Sequence, residues 1–323
     1  MFNPALNAAL QQFQSLGLDL FFHVVTAFGY AVVVIASLSA LYWVWDKNKS
    51  FGLIELCVFS GLIEHLLKEI LQMPRPFQVD PQHVRVLDFF MRWPMGHSGV
   101  HWTIPAEPSH SFPSGHAQVA VCLYGGLALH LRKREVTISA VVLIAAVALS
   151  RVYLGVHFLG DVLGGLLIGC ILLGLYAMIL RLGNRTNQFP SRALIVSLML
   201  ALPVALFLCR PDGLSAQRVS FLLGIAAGYL ADERFLELSR GGTPTQRTAR
   251  IAIGLTILAG AYWLLSQSPL YATKDGQLSR SILFNLLCGG ILGLMVSLAI
   301  PWLFLRIGLA THKKDGEEAK EES

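Results

Sequence analysis

Nine apolar runs, each near the roughly 20 residues that a helix needs to cross a hydrocarbon layer, follow one another along this chain. They lie at about 20–45, 51–72, 114–131, 136–154, 157–181, 190–209, 218–237, 250–267 and 281–306. Backbone in lipid has no water to bond with, so each run must satisfy its own N–H and C=O groups as a helix. The chain is therefore expected to be all-α, a polytopic membrane helical bundle with about nine transmembrane helices. Composition agrees: of the 323 residues, 54% are hydrophobic and only 14% charged, too apolar for a soluble globule of this size. The seventh run is the weakest of the nine, because Asp232, Glu233 and Arg234 stand near its end.

The net charge of +5 does not point to a nucleic-acid partner, since the basic residues are dispersed among short connections. They report orientation instead. Alternate connections carry Lys47 and Lys49; Arg132, Lys133 and Arg134; Arg181 and Arg185; Arg240, Arg247 and Arg250; and finally Lys313 and Lys314. By the positive-inside rule these are cytoplasmic, with the N-terminus outside and the C-terminus inside. Five single cysteines, Cys57, Cys122, Cys170, Cys209 and Cys288, have no CxxC partner or histidine at ligand spacing and read as buried small apolar residues. Residues 1–19 lack the basic start of a cleaved signal peptide, and no targeting segment is evident, which points to a bacterial plasma membrane. Glycines at four-residue spacing, Gly160 with Gly164, Gly165 with Gly169 and Gly224 with Gly228, read as close helix packing.

One long connection, roughly 73–113, separates the second and third runs, and this orientation puts it on the extracytoplasmic side. It is rich in proline, histidine and tryptophan, including His83, Trp93, His97, His101, Trp102 and His110. Such a segment is stiff and suited to capping a site at headgroup level. The spacings of its histidines fit no regular metal site, and they read as surface or cap residues. The tail from about 311, "THKKDGEEAKEES", has almost nothing to bury and is expected to be disordered.

Charge inside an apolar stretch is costly, about 2.5–3.5 kcal/mol at mid-membrane even on the lenient insertion scale, so the "ALSRVYLGVHFLGD" segment needs a reason. His157 and Asp161 are four apart, so one helix face can carry both and the carboxylate can fix the imidazole tautomer. The other ring nitrogen then points outward as a base or nucleophile. Arg151 adds a fixed fork of donors suited to a phosphate or carboxylate. On the same membrane face the second run ends in "KEILQMPRP", with Lys68 and Arg75 two helical turns apart if the helix persists to Pro74 or Pro76. The third run opens "FPSGHA": Ser114, Gly115 and His116 offer backbone N–H groups, a hydroxyl and a second imidazole. No Cys/His/Asp cluster has metal-ligand spacing. The set suits chemistry on an oxyanion without a metal: cations and N–H groups hold the oxygens, His157 attacks phosphorus, and His116 protonates the leaving oxygen. Glu55, Glu64, His65 and His23 have no motif around them and read as structural. Glu64 stands one turn from Lys68 and can neutralise it.

Three stretches, K-x6-RP at Lys68 to Pro76, PSGH at Pro113 to His116 and SR-x5-H-x3-D at Ser150 to Asp161, together resemble the three-part signature of the type-2 phosphatidic acid phosphatase superfamily. The resemblance covers roughly residues 51–170. It implies a six-helix phosphatase core within the bundle and catalysis without metal or other cofactor. It further implies His157 as nucleophile, Asp161 as its orienting partner and His116 as general acid. Lys68, Arg75, Ser114, Gly115 and Arg151 would be phosphate ligands. The expected domain plan is a membrane phosphatase core over 1–209 with its loop 73–113, additional helices over 210–310, and the charged tail 311–323.

The expected function is hydrolysis of a phosphorylated lipid held in the bilayer, such as phosphatidic acid, phosphatidylglycerophosphate, undecaprenyl pyrophosphate or a sphingoid phosphate. The site would lie on the extracytoplasmic face. The extra runs after about residue 210 make the layout similar also to glucose-6-phosphatase, which keeps a small soluble phosphomonoester such as a sugar phosphate open as substrate. A non-catalytic phosphate-lipid transporter is the third alternative; it has no need of an Asp-held histidine opposite a second histidine.

Overall fold

The computed structural model describes residues 2–87, 110–185, 192–209, 212–267 and 282–312. Among them the chain is helical throughout and has no strand, apart from an isolated antiparallel bridge between Leu238 and His312. The order is α1 (Ala5–Gln11), α2 (Leu16–Ala27), α3 (Ala31–Val44), α4 (Lys47–Leu71), α5 (Pro76–Val79), α6 (Gly115–Ala120), α7 (Gly126–Leu131), α8 (Arg134–Tyr153) and α9 (Leu159–Arg185). There follow α10 (Arg192–Cys209), α11 (Gly213–Ala231), α12 (Pro244–Ser266), α13 (Ile282–Leu294) and α14 (Ile300–Arg306). Short π turns at Val121–Gly125 and Met295–Ala299 join α6 to α7 and α13 to α14, and a third, Asp232–Leu236, extends α11.

Six helical stretches are long and apolar enough to cross a membrane: Lys47–Val79, Arg134–Tyr153, Leu159–Leu182, Gly213–Leu236, Pro244–Ser266 and Ile282–Arg306. A seventh is formed if α2 and α3, bent by 50° at their junction, count as one span. The described residues thus support six or seven spans where the apolar runs predict nine. The reasons are local. The first run is broken at Phe28–Tyr30 into two helices, and the third is helical only over Gly115–Leu131, short of a full crossing. The seventh run does qualify. Its Asp232 is fully buried but bonded to Lys47 at 3.1 Å and Arg240 at 2.8 Å, so the charge near its end is paired.

By contact the chain divides into two compact units, Met1–Val34 with Leu56–Gln188, and Ile35–Glu55 with Phe189–Ser323. In the second unit α11 packs along α13, and the expected glycine spacing is what lets them meet: Gly224 lies against the backbone of Gly290 and Gly293, and Gly228 against Ser297. Ser297 Oγ then donates to the carbonyl oxygens of Gly224 and Gly293. Apolar side chains gain little by leaving lipid for another helix, so close approach and such bonds hold a bundle together. The last carbonyls of α3 are met by arginines, Tyr42 by Arg240 Nε at 2.9 Å and Trp43 by Arg250 at 3.2 Å, which also sets cations at a helix C-terminus where the dipole favours them.

The first unit holds the motif residues. On α9, Gly164 meets Phe112, Gly165 the backbone of Ser114, and Gly169 Val121 and Gln118, so that helix lies tight against the start of α6. Helix α2 packs on α8 through Phe22 and Tyr153, ring centroids 4.4 Å apart. Leu10 of α1 touches two apolar clusters, one around Tyr153, Leu154 and Val156 and one around Ala117, Ala148 and Val152. The ends of the long connection are tied together where Ser111 N–H donates to the Met73 carbonyl at 2.8 Å. Its described part packs inward: Val84 and Leu87 are buried, and Leu87 N–H donates to Leu154 O at 3.0 Å. Trp93, His97, His101, Trp102 and the tail from 313 lie outside the described residues.

Candidate active site

Helix α4 carries Lys68 in its last turn and stops at Leu71, with Gln72 in the left-handed region at φ 47°. The helix does not persist to Pro74 as the two-turn spacing of Lys68 and Arg75 requires. Arg75 instead sits in extended backbone as the N-cap of α5, its own N–H taken by Gln78 Oε1 at 2.7 Å. That turn directs its guanidinium to the corner between α8 and α9, where it donates to Val156 O at 2.8 Å and is buried.

His157 is not on a helix face with Asp161. It lies in the connection 154–158, and α9 begins only at Leu159, so Asp161 in the first turn of α9 reaches back across the helix start. There the carboxylate favours the positive end of the helix dipole. Its Oδ2 accepts from Phe158 N–H at 2.8 Å and from the Ser111 hydroxyl, and stands 3.4 Å from His157 Nδ1. The turn itself depends on Gly155 at φ 75°, a conformation costly for any residue with a Cβ. Burial, and after it the charges of Arg75, Lys68 and Arg151, hold the His157 imidazole well below its usual value near 6.5. It is therefore neutral, with a lone pair, at pH 7.

Ser114 caps α6, and its N–H donates to Asp161 O at 3.0 Å, which locks the PSGH turn to the turn carrying His157. Among the described residues no group hydrogen-bonds the buried Ser114 Oγ or the buried Nε2 of His116. The His116 ring stands edge-on to Tyr30, centroids 4.8 Å apart, and lies over Gly29, so the break between α2 and α3 is where the chain makes room for it. Arg151, in the last turn of α8 and buried, donates to Thr26 Oγ1. Lys68, Arg75 and Arg151 are all near enough for their charges to act on both imidazoles. The eight residues singled out from the sequence are thus brought together in the first unit.

Several contributors carry no sequence signal of their own. Ser111 holds Asp161. Asn7, buried on α1, donates to the carbonyls of Val152 at 2.8 Å and His157 at 2.9 Å. Gln11 binds Arg85 O at 2.8 Å and Tyr153 O at 3.1 Å. Only the "SFPSGH" run places one of them, Ser111, next to a motif; Asn7 and Gln11 come from 145 and 142 residues away. Cys57, Cys122 and Cys288 are buried, as expected, whereas Cys170 is exposed, as a lipid-facing position of a membrane helix is.

Comparison with known proteins gives the family. Residues 49–185 match the PAP2 superfamily and residues 216–312 match the PAP2 superfamily phosphatase transmembrane extension. The chain belongs to the PAP2 superfamily and is an integral membrane protein. Among curated proteins it is similar to phosphatidylglycerophosphatase B of Bacillus subtilis, 37% identical over 131 residues, which are 37% of this chain and 51% of that one. The match thus spans about half the length of that relative. Among solved structures, a transmembrane PAP2 type phosphatidylglycerolphosphate phosphatase from Bacillus subtilis aligns over 58% of this chain and 87% of its own, at 27% identity and a TM-score of 0.41.

Proposed function

We propose that the protein is a membrane phosphatase that hydrolyses a phosphorylated lipid, with phosphatidylglycerophosphate as the first substrate to test, through a phosphohistidine on His157. The observation that carries the reading is the set of buried polar atoms with no hydrogen-bond partner among the described residues, Ser114 Oγ and His116 Nε2, gathered beside three cations and an imidazole backed by a carboxylate. Buried polar groups are nearly always bonded, and one tetrahedral anion would satisfy these together. The substrate class rests on the curated relative, a phosphatidylglycerophosphatase by name.

In the first step the outward nitrogen of His157 forms a bond to phosphorus as the ester P–O bond breaks, and His116, which takes up a proton as the anionic phosphate binds beside it, gives that proton to the leaving oxygen. Lys68, Arg75, Arg151, Ser114 and the Gly115 N–H stabilise the equatorial oxygens, where the charge gathers in such a transfer. The 3.4 Å contact of His157 with Asp161 tightens as the attacking ring becomes cationic. In the second step water, deprotonated by His116, attacks phosphorus and the P–N bond breaks, which frees orthophosphate and returns both histidines to their starting state.

The site sits at one end of three helices. Gly115 opens α6, Arg151 closes α8 and Asp161 opens α9, while the basic residues 132–134, 181 and 185 stand toward the other ends of these helices. With those residues cytoplasmic, the site faces outward at a bilayer boundary, where a lipid keeps its tails in the membrane. Purified protein is expected to release phosphate from phosphatidylglycerophosphate in excess EDTA and not from glucose 6-phosphate, with no activity in His157→Ala. Full dependence on added metal, or an active His157→Ala variant, would contradict the mechanism; preference for the sugar phosphate would overturn the substrate class.

A further inference from the structure

Glu64 lies inside this constellation rather than beside it. Its Oε1 pairs with Lys68 Nζ at 2.6 Å, and both side chains are largely buried. The same oxygen would stand 2.6 Å from a Cβ built on Gly115, and the carboxyl carbon 2.8 Å from it. Gly115 is the middle residue of the PSGH turn, flanked by Ser114 and His116. A carboxylate is thus packed against the backbone that would line the bound phosphate, and it shares the lysine that would hold it. Glycine at 115 permits that close approach: a side chain there would displace the Glu64 carboxylate.

We propose that Glu64 sets the affinity of this phosphatase site, weakening the binding of phosphate so that the product leaves. The inference rests on the functional reading above for its purpose but on the ion pair and the Gly115 contact for its physics. An anion entering against Lys68 and Gly115 must draw the ammonium away from Glu64 and tolerate a negative charge a few ångströms off. Substrate and orthophosphate meet the same repulsion. Uniform weakening of this kind raises KM and the dissociation constant of the product together without helping the transition state. It prevents three cations from trapping the product in a buried pocket.

The sign of the effect separates this role from a structural one. If Glu64 merely positions Lys68, removing its charge loosens the lysine and phosphate binds more weakly. If it opposes the anion, phosphate binds more tightly. The experiment is the phosphate-dependent rise in melting temperature of the full-length protein and of Glu64→Gln, titrated with inorganic phosphate. The dissociation constant is expected to fall about tenfold in Glu64→Gln, the order of effect of one screened unit charge at this range. KM for the lipid should fall with it, and kcat should not rise. If Glu64→Gln shows no melting transition, Glu64→Ser carries the same expected sign. An unchanged or larger dissociation constant in the folded variant overturns the proposal, and so does the lack of any phosphate-dependent shift in either protein. Tight phosphate binding by a wild-type protein that hydrolyses no lipid phosphate overturns the functional reading instead, and the two constants still decide the role of Glu64.

Discussion

At the scale of single residues the account turns on His157. A buried histidine among cations is disfavoured as the imidazolium, so its pKa lies below the ordinary 6.5 and its neutral form persists to lower pH. The nucleophilic activity proposed for it is then expected to be lost as pH falls through that depressed value, not through 6.5. The acid limb of kcat/KM, which reports the free enzyme, is expected below pH 6.5 once the ionisation of the substrate phosphate is corrected for. A limb above 6.5 assigned to this residue would contradict a neutral His157. Asp161 serves it from a position fixed by Ser111, Phe158 and the α9 start, so the imidazole faces a carboxylate that is itself held.

At the scale of elements, the corner between α8 and α9 is shaped from outside. Asn7 of α1 takes the carbonyls of Val152 and His157, Gln11 that of Tyr153, Arg75 that of Val156. These carbonyls end one helix and precede the next, where the regular helix ladder is interrupted, and the side chains add donors to those the corner supplies itself, such as Gly155 N–H to Val152 O at 3.1 Å. Replacing Asn7 by leucine removes two buried hydrogen bonds to the corner and is expected to cost about 1–3 kcal/mol of stability, read as a lower melting temperature, together with a lower kcat. An Asn7→Leu variant unchanged in both would show that α1 does not position the corner. This is also where the sequence was least legible. Lys68, Arg75, Ser114, His116, Arg151, His157 and Asp161 stand out because charge or hydrogen-bonding groups in an apolar run demand a reason. Asn7, Thr26 and Ser111 are ordinary polar residues whose partners are 50 to 150 residues distant, and local pattern carries no trace of such pairing. Spacing alone puts His157 and Asp161 on one helix face, because it does not reveal that a helix starts between them.

At the scale of the whole molecule, hydropathy identifies the class, and of the nine spans it predicts the described residues support six or seven. Apolar runs do not show a 50° bend at residues 28–30 or a π turn at Val121–Gly125, and the bend is where Gly29 and Tyr30 meet His116. The pairing of Asp232 with Lys47 and Arg240 shows the converse: charges near the end of a run do not prevent a membrane helix when partners meet them. What unites these scales is one proposition, that the first unit assembles three distant motifs around a phosphorus atom with His157 aimed at it. The most direct measurement is to mix the protein with phosphatidylglycerophosphate, stop turnover with alkali, which preserves phosphohistidine, and map the modified residue by mass spectrometry. Phosphate on the imidazole of His157, absent from His157→Ala, is the predicted result. Sustained turnover with His157 unmodified, or with the phosphate on another residue, would contradict the account.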